Sequence, residues 1–333
     1  MPRSDGWLRS LSVLGLLAGL TASVHPLFGQ PALRFEAARE LRTGVVFQEG
    51  YFLPRWWNGL GLVGAENNRT AEPVIYVVGA DGRREDVRLG LGDGSVIEVY
   101  GVAGGADGAL AVIGRANNSD SSREPFLAWI SPDRKQQNVT QLNPYFPGAV
   151  AIAADGSVWT AGLVNVNDNI PDHMIIRRFD KSGKMLAAFF PWKANPPHPH
   201  PADSSYLLAS RDRVGWYLPL FGNGYFEFSL EGKLLGRFQG ARPAGDRRYE
   251  ITGAALSEND ELLVSRWDRQ ARKWEVLCLD RAKRTWTPVQ LAGEPAHRRS
   301  TRLLGFDGEN LLTSVDFGVI NYYKPQSPSG TGQ

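Results

Sequence analysis

The chain of 333 residues contains one cysteine, three methionines and five histidines, and its 37 Lys and Arg nearly balance 35 Asp and Glu. A single thiol, Cys278, forms no internal disulfide, and no Cys/His spacing has the pattern of a zinc site. A formal net charge of +2, with no run of one sign, excludes a general electrostatic grip on nucleic acid or on an anionic membrane. Long apolar runs are missing too: the stretch Leu11 to Leu20 falls well short of the ~20 residues that a bilayer-spanning helix takes. There is no G-x-S-x-G elbow, no H-E-x-x-H, no P-loop and no dinucleotide fingerprint. What the chain has is 42% hydrophobic residues, 37 Gly, 21 Pro and 10 Trp, the composition of a folded chain with many turns and a core held by packing alone.

Arg3 and Arg9 precede the apolar run, and the small residues Thr21, Ala22 and Ser23 follow it. That three-part layout is the pattern of a secretory signal peptide over residues 1–30, with cleavage near 23–30 and an exported, periplasmic or extracellular product. Retention of the segment as an anchor is the alternative. No cysteine follows the run to carry a lipid. Three N-x-[ST] sequons, at Asn68, Asn117 and Asn138, matter only in a glycosylating pathway.

Beyond residue 45, short β-branched and aromatic runs alternate with Gly, Asp, Asn and Pro, and no stretch holds a 3.6-residue apolar period. The segment Glu36 to Leu41 is the one plausible helical turn. Turn signals followed by apolar strands recur at Asn58-Gly59, Asp107-Gly108, Asp155-Gly156, Asp212-Arg213, Asn259-Asp260 and Asp307-Gly308, in steps of 49, 48, 57, 47 and 48 residues. Asp-Gly and Asn-Gly supply the positive φ of a two-residue hairpin, so each unit begins with two antiparallel strands. A second hairpin follows in most units, as in VIYVVGADGRREDVRL from Val74 and MIIRRFDKSGKMLAAFF from Met174. Four antiparallel strands repeated every 40 to 50 residues predict an all-β chain, a six-bladed β-propeller over residues 31–323.

The pattern AIAADGSVWTAGL followed by IIRRFDKSGKMLAAFF resembles the NHL and related six-bladed propeller repeats over nearly the whole mature chain. The resemblance implies six blades and no particular activity, since its relatives include enzymes, peptide binders and scaffolds. The sixth unit has strands near Leu303, Leu311 and Val319, then runs into a polar tail, residues 324–333, expected to be disordered. An N-terminal strand must then close the ring beside Ile320: either Ala32 to Ala38 or Leu41 to Gln48, the first being preferred because the second leads into blade one.

In such a ring the loops between second and third strands, and those between blades, share one face. These are residues 66–72, 116–124, 143–148, 163–172, 191–204 and 240–250, rich in Asn, Asp, Arg and aromatics. Pro191 to Ser204 is stiffened by proline and fit to form a partial lid carrying Trp192, His198 and His200. An H-x-H pair is short of the three or four ligands of a stable metal site, so no metal is expected there. Residues at the starts of inner strands, Tyr51, Glu98, Tyr145, Tyr206, Glu250 and Arg302, together with Trp192, form the candidate ligand-binding set. Trp56 and Trp57 lie near loops and could also stack on a sugar or peptide. Some relatives of the family bind a divalent cation in the funnel and hydrolyse esters or lactones with it; as a calcium site the set here is short of oxygen ligands. The reading is therefore an exported, non-catalytic propeller without cofactor that binds a protein, peptide or glycan. The alternative is a metal-assisted hydrolase or lyase acting in the funnel with Ca.

Overall fold

A computed structural model describes residues 33–45, 53–66, 69–91, 95–118, 122–166, 169–194, 205–219, 224–243, 246–293 and 299–326. Every regular element among them is a strand. The chain order opens with β1 (Arg34–Arg42), β2 (Arg55–Trp57), β3 (Gly61–Glu66), β4 (Arg69–Thr70), β5 (Val74–Val78) and β6 (Arg84–Arg88). It continues with β7 (Val96–Gly104), β8 (Leu110–Asn117), β9 (Arg123–Ile130) and β10 (Gln137–Gln141), then β11 (Tyr145–Ile152), β12 (Val158–Val164), β13 (Met174–Phe179) and β14 (Met185–Pro191). Next come β15 (Tyr206–Ala209), β16 (Arg213–Leu218), β17 (Gly224–Ser229) and β18 (Leu234–Gln239), and then β19 (Tyr249–Leu256), β20 (Leu262–Asp268), β21 (Lys273–Asp280) and β22 (Thr285–Ala292). The last three are β23 (Arg302–Asp307), β24 (Asn310–Ser314) and β25 (Val319–Pro325).

Some turns between the strands take their positive φ from glycine, others from Arg134, Asp260, Arg272 or Arg284. Gly156, at φ 78°, donates its N–H to Ala153 O, and the Ala153 N–H donates to Ser157 O, each at 2.9 Å. Asp155 Oδ1 accepts from the Ser157 N–H at 3.0 Å. This is a three-residue loop with positive φ at the glycine alone, not the expected two-residue hairpin with positive φ at both positions. Every residue of β12, the strand after this turn, is buried, and large rings such as Trp159, and Trp216 on β16, are fully buried. Each such burial stabilises by about 1.5–3 kcal/mol.

The sheets form a propeller arrangement, with four standing apart as blades rather than the six expected. Three have four strands, β2-β3-β5-β6, β11 to β14 and β15 to β18, and the fourth has five, β10-β9-β8-β7-β4. The other eight strands form one continuous sheet, β19-β20-β21-β22-β1-β25-β24-β23. The fusion has a specific cause: β1 lies antiparallel to β25 on one side, with Leu41 opposite Ile320, and parallel to β22 on the other, with Arg34 opposite Gln290. Glu36 to Leu41 is thus strand and not a helical turn. Pairing along both edges, with Phe35 buried at 2% exposure, overrides the helix propensity of EAAREL. The pairing segment straddles the two N-terminal candidates, and β25 runs two residues into the expected tail, where the Gln326 N–H bonds Arg34 O at 2.8 Å. The loop at 66–72 also contains a strand, since β4 pairs Thr70 with Ile97 at the edge of the second sheet.

Apolar residues collect between successive strand groups. Ile75 and Val77 meet Val99 and Val112 between the first two sheets; Trp159 and Phe190 meet Trp216 and Phe226 between the third and fourth. Corresponding clusters lie between β15–β18 and β19–β22, and around Phe35 and Tyr323. Trp56 and Tyr76 of the first sheet pack with Leu312, Ile320 and Tyr322 of the last strands. The inner strands β7, β11, β19 and β23 each carry a bulge, between Val99 and Gly101, Pro147 and Ala149, Ile251 and Gly253, and Leu303 and Gly305. At Gly305 a Cβ would come within 2.5 Å of Trp56 O, so glycine permits the close approach of β23 to β2.

Candidate functional site

A cavity of about 490 Å³ lies where the inner strands begin. Its charged and polar wall consists of Arg55 from β2, Tyr100 from β7, Arg115 from β8, and Ser205 and Tyr206 at the start of β15. The rest is apolar, with Leu53, Val102, Phe146, Pro147 and Val150. Among the described residues no carboxylate lines it. The bulges explain which side chains arrive: an extra residue at Tyr100 and at Gly148 breaks the two-residue alternation and re-aims the strand starts.

The Arg55 guanidinium lies 4.3 Å over the ring of Tyr206 and donates from Nη1 to Leu207 O at 3.4 Å. Among the described residues no carboxylate pairs with it. Desolvation holds the Arg55 pKa down to about 10, against a smaller upward pull from Tyr206. Burial raises the Tyr206 phenol above its ordinary value, with the charges of Arg55 and Arg302 pulling the other way, so the phenol stays protonated at neutral pH. Arg115 differs: its Nε bonds Glu98 Oε2, which also accepts from the Tyr100 hydroxyl at 3.3 Å. A second, smaller space of about 70 Å³ lies further along, between Arg55 and Asn58, Glu258 and Phe306, where inner strands end. There Asn58 Nδ2 donates to Glu258 Oε1, and Asn58 Oδ1 accepts from the Gly308 N–H at 2.8 Å.

Of the residues singled out from the sequence that the structure describes, Tyr206 alone lines the cavity. Glu98 lies behind it, fully buried in its pair with Arg115. Tyr145 points between sheets: its hydroxyl bonds Ile175 O at 2.9 Å and Thr160 Oγ1 at 3.0 Å, and the Arg177 guanidinium sits 3.8 Å over its ring. Glu250 is held by Arg269 at 3.2 Å and Arg299 at 3.0 Å, and Arg302 donates to Arg299 O at 2.9 Å. Trp192 is a packing residue at 8% exposure, stacked on His173 at 5.7 Å in the cluster between the third and fourth sheets. It is not among the residues that line the cavity. Tyr51, His198, His200 and the remainder of the expected lid from residue 195 onwards lie outside the described residues. Arg55 and Arg115 were missed. Both are arginines inside apolar strands, PRWW and AVIGRAN, which is the signal that could have marked them.

No family model matches the chain, and no curated protein matches it. Among solved structures, a glucose dehydrogenase is similar at 14% identity over 87% of this chain and 100% of that one, with a TM-score of 0.42. A Hadza microbial sialidase is similar at 10% identity over 80% of this chain, with a TM-score of 0.48; the chain spans 65% of that protein's length. Neither likeness carries a site or a reaction over to this chain.

Proposed function

We propose that this chain is an exported, non-catalytic binding propeller, built from six antiparallel quartets of the NHL-like kind and closed by β1, that recognises a protein, peptide or glycan on the face where its inner strands begin. The six quartets are counted by dividing the eight-stranded sheet at its parallel pairing, and the apolar clusters between successive quartets support that count. One observation carries the binding reading: a cavity of about 490 Å³, within the roughly 300–1,000 Å³ of ligand pockets, with a few polar groups on an apolar wall. The metal-assisted alternative requires at least three convergent ligands, and among the described residues no group of three or more His, Cys, Asp and Glu is placed to hold a metal ion.

The experiment is a screen of the full chain on peptide and glycan arrays beside its Phe146→Trp variant, which fills the cavity from a wall residue. Hits lost in the variant support recognition in the cavity. Hits shared by both proteins, or none, overturn it.

A further inference from the structure

Resting on that binding reading, we propose that the cavity takes a monocarboxylate with an apolar body, its carboxylate on the free edge of Arg55. The charge count points to one negative group. Of the two cations that line the wall, Arg115 bonds Glu98, which leaves Arg55 as the lining charge without a carboxylate among the described residues; Arg302, whose charge also reaches Tyr206, stands outside the lining. A carboxylate would neutralise it; a doubly charged phosphate would leave a surplus charge in a desolvated place.

The geometry of Arg55 fits a planar partner. The Arg55 guanidinium carbon lies over the Tyr206 ring and Leu207 O takes a hydrogen from Nη1, which leaves the N–H groups of Nε and Nη2 for a planar partner. The ring contact and the carbonyl bond restrain the side chain in advance, which reduces the ordering cost of binding. The Tyr206 hydroxyl makes no hydrogen bond within the described residues and stands on the same wall, a neutral donor for the second carboxylate oxygen.

The remaining wall sets the body of the ligand. Val102, Phe146, Pro147 and Val150 offer carbon surface and no hydrogen-bonding side chain. Against those four residues the body of an aromatic or aliphatic acid would bury carbon on carbon.

The test uses isothermal titration of the full chain with 3-phenylpropionate, its neutral analogue 3-phenylpropionamide, glucuronate and inorganic phosphate. The acid is expected to bind at one site about tenfold or more tighter than the amide, the scale of one charge-assisted contact. Arg55→Gln should bring acid and amide together, and Phe146→Trp should remove both while Arg55 stays in place; thermal melts establish that each variant is folded. A second variant, Arg55→Lys, keeps the charge without the planar fork and should recover only part of the preference. Equal binding of acid and amide to the unaltered chain, or an acid preference surviving in a folded Arg55→Gln, overturns the inference. Glucuronate or phosphate binding more tightly than the phenyl acid, and lost in Phe146→Trp, would overturn the monocarboxylate assignment while leaving the binding cavity intact. No heat from any probe, together with empty arrays, would remove both.

Discussion

The guanidinium of Arg55 stacks 4.3 Å above the ring of Tyr206 and has no carboxylate among the described residues to balance it. A charge placed this way is costly to the unliganded fold. Arg55→Met is therefore expected to raise the melting temperature while abolishing carboxylate binding, a gain of about 1 kcal/mol, the lower end of what replacing buried charge with an apolar side chain returns. Differential scanning calorimetry of the two proteins without ligand measures it; a lower melting temperature in the variant would contradict the desolvation argument.

Glu98 decides how many positive charges the cavity presents. Glu98→Gln removes the partner of Arg115 and is expected to cost roughly 2–4 kcal/mol, below the range for a fully buried pair because Arg115 keeps 22% exposure. The same change should move ligand preference from monocarboxylates to dicarboxylates such as phthalate. Urea melts and competition titrations read the two effects separately.

Asp268 gives the acid limb of stability. It accepts from Arg248 Nε at 2.8 Å and from the N–H groups of Gln270 and Ala271 at 2.9 Å each, and the bond from Arg248 is the first cause of a carboxyl pKa well below the ordinary range. A depressed folded value means that the contribution is fully present above the unfolded pKa of about 3.9 and is lost as pH falls through the folded value. Asp268→Asn should lower the melting temperature at pH 7 and flatten its decline below pH 4. Melting curves from pH 7 to pH 2 show the difference.

Trp192 separates packing from recognition. Its burial between the third and fourth sheets predicts that Trp192→Ala loses about 3–5 kcal/mol of stability yet binds 3-phenylpropionate with unchanged affinity at a temperature where it remains folded. A lost affinity with unchanged stability would return this residue to the ligand-binding set.

Phe35 tests the seam. Phe35→Ala should cost about 3 kcal/mol and, by loosening β1, expose the edges of β22 and β25 to a second chain. Denaturation and light scattering detect the two consequences, with Glu40→Ala on the exposed side of the same strand as the control.

The strands were legible because their chemistry is local: Asp155 and Gly156 make their turn from adjacent residues, and the short β-branched and aromatic run around Trp159 needs no knowledge of the rest of the chain. The site was less so. The first residues of inner strands point to the end of the fold where the cavity lies, but a single inserted residue at Tyr100 or Gly148 exchanges the faces, and that register shift is fixed by pairing with a neighbouring strand. Phe146, and not its neighbour Tyr145, lines the cavity. Glu36 to Leu41 was misread for a related reason. Its strand identity comes from partners almost the whole chain away, at Val319–Pro325 and Gln290–Ala292.

The position of β1 also imposes an order of assembly. On a ribosome the segment Arg34–Arg42 emerges before any other strand described, yet both of its neighbours belong to the last fifty residues of the chain, about one repeat's worth. It must wait, unpaired, through the synthesis of everything between, so the first described strand to be made is the last to be locked in place.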